Sequence, residues 1–127
     1  IWGEGKQVRD WLYVEDTAKA IDILIEKGES GGTYNVGANN EPEIQNRKVA
    51  ELLIEIMNLN PDEMIKFVPD PRKHHDFRYG VNTEKIKKLG WKPSHNIREL
   101  FSKAIEWYKE NRDIWLPLKE EAEKLYK

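Results

Sequence analysis

The sequence predicts an α/β chain with few short strands and about five helices, incomplete without additional sheet-forming chain. Three observations carry this expectation. A bulky β-forming run, Gln7 to Asp16, leads directly through an acidic cap into an apolar helical stretch, which is the grammar of an α/β unit. Apolar residues then recur at helical spacing in several later segments. The strand candidates are too short and too few to form a sheet of ordinary size, and a parallel sheet needs cover on both faces.

Ile1 to Val8 reads as an extended arm turning through Gly3-Glu4-Gly5. A Gly-x-Gly invites a dinucleotide reading, but no third glycine follows and no helix opens, so a tight turn is the better one. Val8, Trp11, Tyr13 and Val14 then make a strand, and Asp16 is expected to cap the next helix. That helix, Glu15 to Lys27, carries Ala18, Ile21, Ile23, Leu24 and Ile25 and stops at Gly28. Thr33 to Gly37 is a second strand, followed by an Asn-rich loop from Ala38 to Glu43.

Asn46 is expected to cap a helix with Val49, Leu52, Leu53, Ile56 and Met57 on one face, broken at Pro61-Asp62. Ile65 to Val68 is the third strand, closed by Pro69 and Pro71. Asn82 or Thr83 caps a short helix that Gly90 ends in a left-handed conformation, with Trp91 packing back on it. Asn96 and Glu99 form a capping box for a helix carrying Ile97, Leu100, Phe101, Ala104, Ile105 and Tyr108. Pro117 is expected in the first turn of a last amphipathic stretch with Leu118, Ala122 and Leu125.

Composition bounds the function. A length of 127 residues suits one domain with a core. The net charge of −2 argues against nucleic acid or an acidic membrane as partner. With no cysteine, disulfides and thiolate metal sites are excluded, and a reducing cytoplasm, the expected location, is permitted. No apolar run reaches the ~20 residues of a membrane span. The charged fraction of 35%, rich in Lys and Glu, has the bias of thermophile surfaces. The chain opens on Ile1-Trp2 without an initiator Met, and we expect it to be a fragment.

The stretch Pro69 to Tyr79 holds Arg72, Lys73, Arg78, His74 and His75 between flanking prolines. Arginine forks with imidazole and ammonium donors can hold a pyrophosphate, though spacing alone leaves a solvated charged loop equally open. A metal site from His74, His75 and Asp76 is the weaker reading, because adjacent histidines point apart.

Gly-Glu-Gly-Lys-Gln-Val followed by Arg-Asp-Trp-Leu-Tyr-Val-Glu-Asp closely resembles the extended short-chain dehydrogenases acting on nucleotide sugars, and among them most the dTDP-glucose 4,6-dehydratases. The resemblance runs through the whole chain, but only to the C-terminal part of such an enzyme. Residues 1–127 are then expected to be the sugar-nucleotide-binding portion of an NAD-dependent epimerase/dehydratase, with the N-terminal Rossmann domain that binds NAD outside the chain. The family carries Asp-Arg-Pro-Gly-His-Asp, two residues, then Tyr. Here Arg72, His75-Asp76 and Tyr79 occupy those places, but Pro71 separates Asp70 from Arg72 and Lys73-His74 replaces Pro-Gly.

The resemblance implies that Arg9, Arg72 and His75 contact the nucleotide diphosphate, that Asn35 contacts the nucleotide, and that Trp2 replaces an aromatic flanking the base. Local alternatives are a strand-end Arg9 paired to Asp10 or Glu4, a turn-forming Asn35 and a frayed Trp2. The implied partner is dTDP-glucose or a related nucleotide sugar. The whole enzyme, a homodimer, would use NAD to oxidise C4, eliminate water across C5–C6 and reduce C6. The reaction also needs a Tyr-x-x-x-Lys pair and a Gly-rich turn. Tyr13, Tyr34, Tyr79 and Tyr108 are followed at the fourth place by Thr17, Ala38, Thr83 and Arg112, so no catalytic residue is assigned and the fragment should be inactive alone. A UDP-sugar 4-epimerase or decarboxylase, and a non-catalytic interaction module, remain as alternatives.

Overall fold

The computed structural model describes residues 1–72 and 74–125. Lys73 therefore lies outside the described residues, as does the side chain of Leu125 expected on the last helix face. Two two-residue strands, β1 (Val8–Arg9) and β2 (Ile44–Gln45), pair antiparallel, with Val8 opposite Gln45 and Arg9 opposite Ile44. Among the described residues six helices accompany them: α1 (Val14–Lys27), α2 (Asn46–Met57), α3 (Pro61–Met64), α4 (Glu84–Lys87), α5 (Ile97–Glu110) and α6 (Arg112–Leu125). The helix beyond the expected five is α3, where Pro61 starts a new turn and Asn60 caps it by accepting from the Asp62 N–H. The preceding break comes earlier, at left-handed Asn58, φ 54°.

The bulky segment after β1 is extended but has no ladder partner among the described residues. Its side chains nevertheless alternate with strand period. Trp11 and Tyr13 pack on a cluster of Val49, Leu100 and Phe101, while Leu12 packs on the opposite cluster of Ala20, Ile86 and Trp91. Thr33 to Gly37 likewise forms no strand, yet Tyr34 and Val36 both face the second cluster. Ile65 to Val68 contributes only a bridge between Val68 and Trp2. Two small cores thus flank an extended ribbon whose backbone has no ladder partner among the described residues.

Local expectations fail where a distant partner outbids the local one. Asp16 is not a cap: α1 starts at Val14 with Tyr13 as N-cap, and Asp16 sits buried in its first turn. Gln45, not Asn46, precedes the first turn of α2, with no side-chain cap. Pro117 lies inside α6, because the helix begins at Arg112. The bond it forfeits is to the Asp113 carbonyl, on an exposed face where water can substitute.

Other local signals hold. Asn96 accepts from the Arg98 and Glu99 N–H groups at 3.0 Å each, and Glu99 accepts from the Asn96 N–H at 2.9 Å. Asn96→Ala should cost about 1 kcal/mol of stability, seen as a lower urea midpoint; an unchanged midpoint would show that α5 does not depend on its box. One surface is unaccounted for. Along α1, Val14 (71% exposed), Ala18, Ile21 (55%) and Ile25 (80%) form a stripe at i, i+4, i+7 and i+11 that no described residue covers.

Candidate functional site

The site grows from β1. Its backbone is held on both sides: by β2, and by the segment before Tyr79, where the Val8 N–H donates to the Phe77 carbonyl at 2.8 Å. This pairing brings Arg9 against a loop 66 residues away. Arg9 Nη2 lies 2.9 Å from His75 Nε2 and donates to the Asp76 carbonyl at 3.0 Å, while Nη1 reaches the Phe77 carbonyl at 3.3 Å. A guanidinium only donates, so His75 Nε2 accepts in this contact. The Arg9 guanidinium also stacks 4.2 Å from the Tyr79 ring centre. Neither Asp10 nor Glu4 pairs with it; Glu4 binds Lys6 instead.

Beside this pair stands a second stack. The Gly3 N–H donates to the Val68 carbonyl and the Val68 N–H to the Ile1 carbonyl, which fixes Trp2 on the approach to the loop. Arg72 lies over the Trp2 ring at 4.7 Å and is bound by Asp70 through Nε and Nη2, at 2.9 and 2.8 Å. The Arg72 hydrogen bonds hold the Asp70 carboxyl at about 2, so it is anionic at neutral pH. Tyr79 donates to Asp76 Oδ2 at 2.8 Å, and that bond raises its phenol above the usual value despite Arg9 and Arg72 nearby.

Four of the five expected residues therefore fall into two adjoining sets: Arg9 with His75, and Arg72 with Trp2. Asn35 does not join them; its amide donates to the Asn82 carbonyl at 3.3 Å. A cleft of about 210 Å³ starts at Arg9 and Tyr79 and runs past Leu12 to Val36 and Gly37, next in sequence to Asn35. Arg78 turns away from the loop's other cations to pair with Glu43. No group of three potential metal ligands converges among the described residues. The spacing argument missed Asp70 and Tyr79 as partners of the arginines, although the Asp-Pro-Arg turn was a usable signal.

The Gly3–Gly5 turn does not fit a dinucleotide. Both glycines have positive φ, 62° and 65°, and the chain runs on into β1, so no helix N-terminus faces a pyrophosphate. A Cβ at Gly5 would sit 3.0 Å from Arg47 Cβ, which fills the space a phosphate would need.

Buried Asp16 meets exposed Ser94 and half-buried His95 in a set with the composition of a hydrolytic triad, and its geometry rules that out. Asp16 accepts from the Ser94 N–H at 3.1 Å, the His95 N–H at 3.2 Å and His95 Nδ1 at 2.9 Å, as well as from the Ser94 hydroxyl. Ser94 Oγ lies 3.3 Å from that same Nδ1, so the imidazole cannot relay a proton between the two. Burial opposes ionisation of Asp16, but these donors together hold its carboxyl well below the usual range. The set ties α1 to the entrance of α5, and Trp91 adds a bond from its indole N–H to the Asp16 carbonyl at 3.0 Å.

Residues 1–104 match the family model described as GDP-mannose 4,6 dehydratase. A dTDP-glucose 4,6-dehydratase of Escherichia coli is 38% identical over 124 residues, covering 91% of this chain and 34% of that protein. The crystal structure of dTDP-glucose 4,6-dehydratase from Bacillus anthracis, in complex with NAD, superposes with a TM-score of 0.82 at 37% identity, over 93% of this chain and 36% of that one. UDP-glucose 4-epimerase from Thermotoga maritima, with UDP-glucose, follows at TM-score 0.76 and 28% identity, over 87% and 34%. The chain spans about a third of the length of the curated relatives it matches. It belongs to the family described as GDP-mannose 4,6 dehydratase, among the extended short-chain dehydrogenases.

Proposed function

We propose that this chain is the C-terminal, sugar-nucleotide-binding portion of a dTDP-glucose 4,6-dehydratase-like lyase, which converts dTDP-glucose to dTDP-4-keto-6-deoxyglucose. The observation that carries the reading is the junction of Arg9 with His75 beside the Arg72–Trp2 stack. Two guanidinium forks next to an imidazole suit the oxygens of a diphosphate, and a flat aromatic beside them suits a base. Asn35 would enter from the far end of the cleft that leaves Arg9. The residues of this chain bind and orient; the described residues offer no fit for NAD, which the rest of the enzyme would hold.

The uncovered α1 stripe and the unpaired ribbon at residues 10–13 and 33–37 support an additional domain packed against them. We place the enzyme in the cytoplasm, as a homodimer; no helix among the described residues is long and apolar enough to cross a membrane.

The test uses the complete enzyme with dTDP-glucose, reading the 4-keto-6-deoxy product by its absorbance in alkali. Arg72→Ala is expected to raise KM about tenfold with kcat little changed, the loss of one charge-assisted contact. An unchanged KM for both Arg72→Ala and Arg9→Ala would sink the diphosphate assignment. The likeness to the Thermotoga maritima epimerase favours a second reading, a UDP-sugar 4-epimerase. Turnover of UDP-glucose to UDP-galactose, with no alkali-absorbing product from dTDP-glucose, would select it.

A further inference from the structure

Arg72 enters the site already bound to an anion of its own loop. Its Nε and backbone N–H both donate to Asp70 Oδ1, at 2.9 and 3.0 Å, and Nη2 donates to Oδ2 at 2.8 Å. This engages only one side of the fork. A guanidinium carries five N–H bonds, so both hydrogens of Nη1 and one of Nη2 remain, directed along the end of the side chain. The guanidinium face is occupied too, by Trp2 at 4.7 Å. The arm carrying Trp2 is tied to Val68, two residues before Asp70, and a Cβ placed on Gly3 would lie 3.7 Å from the Asp70 Cβ, an ordinary contact. Carboxylate, guanidinium and indole thus form one stack anchored at both ends on the same pair of backbone segments.

We infer that Asp70 is a positioning residue for nucleoside diphosphate recognition: it fixes Arg72 so that the end of the fork donates to a phosphate oxygen while its face steadies Trp2 for the base. This rests on the reading above that the site takes a nucleoside diphosphate. Charge alone argues the opposite, since a carboxylate near a diphosphate repels it. That repulsion acts between solvent-exposed groups and is screened. A free arginine side chain, in contrast, must have its several rotatable bonds frozen when the ligand binds. The carboxylate does that freezing in advance.

Asp70→Asn is the informative variant. Its amide oxygen can still accept the Arg72 backbone N–H, which preserves the turn, but the group replacing Oδ2 cannot accept from Nη2. In the complete enzyme, the Kd for dTDP by calorimetry and the KM for dTDP-glucose are expected to rise about fivefold, with kcat within about twofold. In an Arg72→Ala background the same substitution should have no effect, because Asp70 acts only through Arg72. Three outcomes would overturn the inference: tighter dTDP binding, no change, or a loss of equal size when Arg72 is absent. If the native enzyme does not bind dTDP, or Arg9→Ala and Arg72→Ala both leave its Kd unchanged, the diphosphate reading itself falls. That result is distinct from a neutral Asp70 in an enzyme that binds dTDP through both arginines.

Discussion

Asp16→Asn is expected to destabilise the chain by about 3 kcal/mol, nearly as much as Asp16→Ala, because the network needs an acceptor at both oxygens. Asp16 is fully buried and receives N–H groups from Ser94 and His95, His95 Nδ1 and the Ser94 hydroxyl. An asparagine of the same shape would set its own NH₂ against those donors, leaving them unsatisfied around a carboxylate position that is itself fully buried. Chemical unfolding followed by tryptophan fluorescence should show the midpoint falling by roughly 1–3 M urea, given slopes of about 1–3 kcal/mol per M. The pH dependence supplies a second arm. The folded-state pKa of Asp16 lies below its unfolded value, so its contribution is complete above the ordinary aspartate value of about 3.9 and fades as pH falls through the lower, folded one. The stability gap between native protein and Asp16→Asn should therefore narrow below about pH 4, as the native carboxylate takes up its proton. A gap under about 1 kcal/mol, or one that does not narrow in acid, would mean the buried carboxylate is not the clasp between α1 and α5.

Asp16 also shows what a sequence hides. Read locally it is an acidic residue before an apolar helix, the pattern of a cap, yet apart from Lys19 at 3.4 Å its side-chain partners lie 78 and 79 residues away and nothing in their spacing points back to it. Three of the four long helices, α1, α2 and α5, were legible because each buries one face, and a face is written in the 3.6-residue period. The Asn96 box was legible because it is closed within four residues. The strands were legible only by half. Trp11, Leu12 and Tyr13 alternate between the two cores as a strand should, but a strand is defined by its neighbour, and a backbone ladder is not encoded in the segment that offers it. The opposite failure is β2, where Ile44–Gln45 pairs with β1 from the end of a polar loop that carries no strand signal. In the site, Arg9 at the strand entrance and the cationic loop were each legible as anion-binding candidates, but nothing local tied Arg9 to the loop it reaches through β1; only the resemblance to a family joined the two. Arg78 corrects a count of charges: it lies in the same cationic run, and Glu43 takes it away.

Arg9→Ala should have the largest effect on binding, about 3 kcal/mol or roughly 100-fold in KM, with kcat nearly unchanged. Two losses combine in it. The fork that reaches the Asp76 and Phe77 carbonyls and faces His75 Nε2 is also the one a diphosphate would meet, so alanine removes a phosphate donor and the brace of the loop beside it. Tyr79 loses the cation over its ring, although its bond to Asp76 remains. Arg9→Lys should recover less than about tenfold of the loss, because a single ammonium cannot donate to two carbonyls, stack on Tyr79 and still present an edge to the ligand. The brace and the phosphate donor separate in the choice of ligand. If Arg9 acts through phosphate, the affinity for dTDP falls far more than that for thymidine, which lacks the diphosphate. If Arg9 only holds the loop in place, both ligands weaken together, since Trp2 and Arg72 depend on the same loop for the base. An unfolding free energy within about 1 kcal/mol of the native value confirms that the fold has survived the substitution. Equal loss for the two ligands would remove Arg9 from the list of ligand-binding residues and leave it a structural strut between β1 and the His75 loop.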